Sequence, residues 1–131
     1  MQQQQWRDGR GKLIVQGGES GDASLPLEIA SSYRARTRGL LGRDRVDGAL
    51  LLTPANSVHT FGMRIPIDVA YLDRQLTVIS VRTMRPGRLG RPRLRARHVL
   101  EAEAGVMERW GLRVGVRVGV EVGTGAEGAS F

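Results

Sequence analysis

Pro66-Ile67-Asp68-Val69-Ala70-Tyr71-Leu72-Asp73-Arg74-Gln75-Leu76-Thr77-Val78-Ile79-Ser80-Val81-Arg82 is the stretch on which the fold turns. Ile67–Leu72 is apolar at odd and even positions alike, with Asp68 the one exception, so this strand is expected to be buried on both faces and central in its sheet. Pro66 stands at the strand start, where its missing N–H costs no ladder bond. Asp73-Arg74-Gln75 is a tight turn that feeds Leu76–Arg82, and the two runs are predicted to form a hairpin.

Downstream, Arg85–Pro92 holds two prolines and two glycines and reads as a loop or extended segment. Arg93–Glu101 alternates arginine with apolar residues. Ala104–Trp110 is one or two helical turns stopped by Gly111, with Trp110 expected to anchor the helix on the sheet. Val114, Val116, Val118, Val120 and Val122 then alternate with other residues as a half-buried strand does. Upstream, Lys12–Val15 and Leu25–Ala30 are strands around a loop at Gly17–Gly21. Ser31–Leu41 is a short helix with Ser31 or Ser32 as its cap and Gly42 as its stop. Ala49–Thr53 is a buried strand closed by Pro54, and Ser57–Phe61 extends into another.

Residues 1–11 and 123–131 lack periodicity and are expected to be disordered tails, with Trp6 exposed, around a single domain at 12–122. A chain of 131 residues and 14.3 kDa has room for one core. About eight short strands, two short helices and no strand–helix–strand repeat predict a mainly β domain, a small antiparallel β-barrel or jelly-roll-like sandwich with two short flanking helices.

Composition excludes several chemistries. Without cysteine there is no disulfide, thiolate nucleophile or thiolate metal site. The two histidines are 39 positions apart, so no metal or cofactor is expected. Gly87-Arg88-Leu89-Gly90 has the glycines of a phosphate loop, but Pro86 and Pro92 flank it and no capped helix follows. No apolar run reaches a membrane span, and the chain as given opens without a signal peptide, so a soluble protein, cytoplasmic by default, is expected.

Charge is localised. Seven arginines (82, 85, 88, 91, 93, 95 and 97) and no acid lie between Arg82 and Arg97, while the rest of the chain balances thirteen basic against thirteen acidic residues. The whole net charge of +7 therefore sits in one segment. Alternation at 91, 93, 95 and 97 would put four arginines on one strand face. Arg85, Arg88, Arg91, Arg93, Arg95 and Arg97 are the candidate docking face for an acidic protein or anionic ligand. The competing explanation is an edge strand protected by charge. Nucleic acid is the weaker partner, because no aromatic residue interleaves with these arginines. A second cluster, Arg34–Arg45, includes Asp44 and reads as a solvated helix face.

The segment His59–Asp68 concentrates a second set of candidates. A pocket of His59, Thr60, Phe61, Met63, Arg64 and Asp68 would pair His59 with Asp68 or Thr60 as a general base or a ligand-gripping pair. The plainer reading has Asp68 accept backbone N–H bonds at the strand start, with His59 half-buried. His98 shares a predicted strand face with Leu94, Ala96 and Leu100 and is expected as a hydrogen-bonded core residue.

Four stretches carry a resemblance: Arg38-Gly39-Leu40-Leu41-Gly42-Arg43, Pro66-Ile67-Asp68-Val69-Ala70-Tyr71-Leu72-Asp73, Val99-Leu100-Glu101-Ala102-Glu103-Ala104-Gly105 and Trp110-Gly111-Leu112-Arg113-Val114-Gly115. In order and spacing the chain resembles the bacterial and archaeal family called domain of unknown function 192, over about residues 25–122. The resemblance implies a small β-barrel flanked by short helices and no established activity, and some relatives carry export signals. The chain departs from the pattern in four places. His59-Thr60-Phe61-Gly62-Met63 stands where Trp-Met-Lys-Asn-Thr is commoner. Leu76 replaces the turn glycine, Gly115-Val116 replaces Gly-Asp, and the 82–97 segment is richer in arginine.

From these residues the expected function is a non-catalytic binding or accessory module. It would present the 82–97 arginines and the His59–Met63 loop to an acidic or polar partner, as a monomer. The alternative is an enzyme or small-ligand pocket for a polar metabolite or sugar around His59, Thr60, Arg64 and Asp68. A structural component that self-associates through strand edges is a third possibility.

Overall fold

Strands β1 (Gly9–Gly18) and β2 (Gly21–Ala30) form a long antiparallel hairpin in the computed structural model, which describes residues 6–18 and 21–123. They are followed by helix α1 (Tyr33–Arg38) and strands β3 (Ala49–Leu52), β4 (Ile67–Leu72), β5 (Val78–Met84) and β6 (His98–Glu103). Helix α2 (Val106–Trp110) and strand β7 (Val118–Val122) complete the chain. All seven strands belong to one sheet in the order β5-β4-β6-β3-β2-β1-β7.

The domain is mainly β with two short helices, as the sequence predicts, but it is not wholly antiparallel. β2 and β3 run parallel, joined by the connection that contains α1. The ladder does not close along its length into a barrel, and there is one sheet rather than the two of a jelly roll. Among the described residues, the outermost strands meet at one corner. There the Val78 N–H donates to Val116 O at 2.8 Å, Gly115 N–H to Val78 O at 2.8 Å and Val118 N–H to Leu76 O at 3.0 Å.

Strand alternation sorts the apolar residues into two cores. Ala70 and Leu72 of β4 join Leu13, Leu27, Leu51, Leu100 and Met107 on one face. Ile67, Val69 and Tyr71 join Leu50, Leu52, Val58, Met63 and Val99 on the other, which also takes Leu40 from the segment after α1. This is why every residue of β4 is buried. The hairpin to β5 forms as read, and Leu76 takes φ +67° in the turn despite its side chain.

Other expectations are corrected. Residues 6–11 are structured: β1 starts at Gly9, and Asp8 Oδ1 accepts the Ser31 and Ser32 N–H groups at 2.6 and 2.8 Å. Trp6 is half-buried and meets the His98 ring edge-on at 5.5 Å. The remaining expected tails, residues 1–5 and 124–131, lie outside the described residues. The helix is shorter than Ser31–Leu41: Ser32 Oγ caps it, and Gly39 ends it at φ +47°. Ser57–Phe61 is no strand beyond an isolated bridge from His59 to Leu89. The last strand begins at Val118, because Val114 and Gly115 form a turn that leaves Val114 exposed.

Candidate functional site

Arg91–Arg97 does not form the alternating strand that the sequence suggests. Turns precede β6, Leu94 faces outward at 97% exposure, and Arg93 folds back with its guanidinium 5.3 Å from the centre of the Tyr71 ring. The single face of Arg91, Arg93, Arg95 and Arg97 is therefore not formed, and His98 does not share a face with Leu94. Instead Arg82, Arg85, Arg88, Arg91 and Arg93 gather around one cleft of about 660 Å³, with Leu89 and Gly90 on its wall and no acidic residue lining it. Arg97 lines a different cleft, and Arg95 is exposed outside both. Burial raises the Tyr71 phenol at the floor above its ordinary pKa, with Arg93 pulling the other way. Gly90 is required there: a Cβ would stand 2.8 Å from the Tyr71 hydroxyl.

Thr60 builds the loops that carry this cleft. Fully buried, its hydroxyl donates to Arg85 O at 2.6 Å and accepts the Arg88 N–H at 2.8 Å. Its backbone N–H donates to Arg88 O, and its carbonyl accepts from Gly87 and Met63. Thr60 thus locks the His59–Met63 loop to the arginine loop. His59 is exposed and stacks on Phe61, ring centroids 5.2 Å apart. Met63 is buried in the second core, and Arg64 pairs with Asp44 at the surface at 3.1 Å.

Asp68 is not in this neighbourhood. Its side chain belongs to the opposite face of β4, where Oδ1 accepts from the Thr83 hydroxyl at 2.7 Å. Oδ2 accepts the N–H groups of Gly105 and Met107 at 2.8 and 3.2 Å. Asp68 clamps β4 to β5 and to the start of α2. The six-residue pocket is therefore split: His59, Thr60, Phe61 and Met63 stay together, while Arg64 and Asp68 stand apart. His98 is a core residue, with Nδ1 2.7 Å from Thr53 Oγ1 and its pKa driven down to about 4 by burial and by Arg97.

Glu101 went unmarked in the sequence. It sits on central strand β6 opposite Leu50 and Val69, 5% exposed, on the face of the second core. Burial pushes its carboxyl up to about 7, with Arg43 opposing. The available signal was an acid in the apolar run Val99-Leu100-Glu101-Ala102, in step with inward-facing Val99.

The geometry defines a small one-sheet β domain with several surface clefts, among them an arginine-lined cleft and a pocket over Glu101, and no metal-binding cluster among the described residues. The chain belongs to the domain of unknown function 192 family, described as "Uncharacterized ACR", whose model matches residues 14–120. Similar chains include an uncharacterised UPF0127 protein of Pyrococcus horikoshii, 32% identical over 63% of this chain and 76% of its own length. A Pyrococcus abyssi counterpart is 31% identical over 68% of this chain and 80% of its own length. Two solved structures share the fold at 20% identity. One is a protein of unknown function from Novosphingobium aromaticivorans (TM-score 0.70, covering 82% of this chain and 83% of that one). The other is a Sinorhizobium meliloti protein described provisionally as a transcription regulator (TM-score 0.74, covering 89% and 98%).

Proposed function

We propose that the domain is a non-catalytic binding module that takes an acidic protein segment into its arginine cleft. The observation that carries this reading is five arginines around one concave surface with no acid on its walls. Such a cleft focuses positive potential, attracts carboxylates and speeds their capture. Thr60 holds the cleft's loops together, so little ordering is needed on binding. Arg95 and Arg97 lie outside this surface, and the His59–Phe61 stack stands on the neighbouring loop. The likeness to a protein described as a transcription regulator is one of fold, and no exposed aromatic lines the cleft for a base to stack on, so nucleic acid is disfavoured. The hydrogen-bonded corner between β5 and β7 supports reading the sheet as an incompletely closed barrel.

Arg85, Arg88 and Arg91 are exposed and suit charge reversal, whereas Arg93 is packed on Tyr71. Fluorescence anisotropy with a labelled glutamate-rich peptide and a labelled single-stranded oligonucleotide, at 50 and 200 mM salt, tests the reading. The parent chain is expected to bind the peptide, more weakly at the higher salt, and Arg85/Arg88/Arg91→Glu to bind it at least about tenfold more weakly. Equal peptide affinity in a folded variant, or preference for the oligonucleotide, overturns the proposal.

A further inference from the structure

Glu101 is buried without a hydrogen-bond donor among the described residues. Two cations near it are engaged elsewhere. Arg43 makes two 2.8 Å bonds to Glu28, and Arg36 donates to the carbonyls of Ser31 and Pro54. Its carboxyl oxygens are not fully enclosed, so the group keeps an open approach, and such a carboxyl beside a cavity marks a candidate site. The cavity is present. Glu101 lines a pocket of about 70 Å³ enclosed by residues 36–41, Leu52, Ser57–His59 and Met63. Gly39 lines it, and a Cβ there would lie 3.6 Å from Glu101 Oε1, in ordinary van der Waals contact. The pocket adjoins a wider cleft of about 750 Å³, with which it shares Arg36, Thr37, Leu52, Ser57 and His59. Tyr33 and Leu94, 79% and 97% exposed, stand on that cleft.

We propose that this pocket binds a hydroxyl-bearing end of an uncharged polyol or sugar, the hydroxyl donating to the Glu101 carboxyl. Three features select that chemistry. An ammonium head would meet Arg36 and Arg38 on the walls and Arg97 in the outer cleft. An anion would meet the carboxyl itself. The inner volume of about 70 Å³ is several times the roughly 10–15 Å³ that one water needs on the same measure, so it has room for a hydroxymethyl group. The ligand's body would rest in the outer cleft, where Tyr33 and Leu94 offer apolar surface. This site is separate from the arginine cleft and shares none of its lining residues.

The test is amide-shift titration of the full chain by NMR with glycerol, methylammonium chloride and sodium acetate as separate probes. Glycerol is expected to give saturable shifts at Gly39–Leu41, Ser57–His59 and Glu101, and the charged probes none there. Glu101→Leu should abolish the glycerol shifts. If that variant fails to fold, Thr37→Trp plugs the mouth from an exposed helix position and should abolish them too. Stronger shifts with methylammonium or acetate, no saturable shift with glycerol, or glycerol shifts that survive Thr37→Trp each overturn the proposal. Arg85/Arg88/Arg91→Glu should leave the glycerol shifts unchanged, which keeps failure of this site distinct from failure of the other.

Discussion

Glu101 and His98 lie on the same strand, one on each face, and burial acts on them in opposite senses. His98 is lowered from 6.5 to about 4 by burial and Arg97, with Asp73 opposing. The unfolded chain therefore binds the extra proton across that window, and the His98 contribution to stability is lost as pH falls from about 6.5 toward 4. Glu101 is raised from 4.5 to about 7, so its contribution is fully present below 4.5 and is lost as pH rises toward 7. Each displacement is on the order of 3 kcal/mol, and over most of the range they oppose one another. Glu101→Gln should remove one arm only. Its unfolding free energy relative to the parent should climb by about 2–3 kcal/mol between pH 4.5 and 7. Urea melts at pH 4.5, 5.5, 6.5 and 7.5 read this directly. A pH-independent difference would show that Glu101 is not protonated differently in the folded chain.

The Asp68 clamp ties three elements, β4, β5 and α2, through one carboxylate. Asp68→Ala leaves two α2 N–H groups and the Thr83 hydroxyl without their acceptor, and is expected to cost about 3 kcal/mol. Thr83→Ala removes one bond and should cost about 1 kcal/mol. Chemical denaturation of both variants checks the ratio, and a cost below about 0.5 kcal/mol for Asp68→Ala would refute the clamp. For Asp68 the pocket reading does not hold. The plainer one, a carboxylate accepting backbone N–H bonds, holds in kind but with partners at the start of α2 rather than at the strand start. An acid at the start of a doubly buried strand has few acceptor roles besides backbone N–H groups. Ile67–Leu72, Ala49–Thr53 and the helix stopped by Gly111 were legible for the same reason: local pattern and burial agree there. The reading failed where tertiary contacts override pattern. Arg91–Arg97 alternates like a strand, yet its backbone is spent on turns, with Ala96 N–H on Arg93 O and Arg93 N–H on Asn56 O. The parallel β2–β3 pairing depends on a crossover that no single segment encodes. At Glu101 the local signal was an acid in an apolar run, and that run alone does not tell a covered strand face from an open one.

At the scale of the whole molecule, one corner decides how far the sheet curls. β5 and β7 are its outermost strands, and long unpaired edges invite association with other chains. Here the Thr77–Arg117 bridge and the three bonds around it join the two edges, and Arg117 Nε adds a 2.9 Å bond to Gln75 O. The turn that brings Leu76 to φ +67° presents its carbonyl to Val118, so strain in the turn is held by the same contacts. With the corner fixed, the first core is enclosed by the curl. The second core faces outward under α1 and the 53–65 segment, where the Glu101 pocket opens. If the corner holds in solution, the Val78, Gly115 and Val118 amides should exchange with deuterium at least about tenfold more slowly than the exposed turn amide of Val114. Exchange of all three at the Val114 rate would mean that the edges part. The sheet would then be an open one whose edge at Leu76–Val78 is exposed to a second copy, and sedimentation of the same sample would show association.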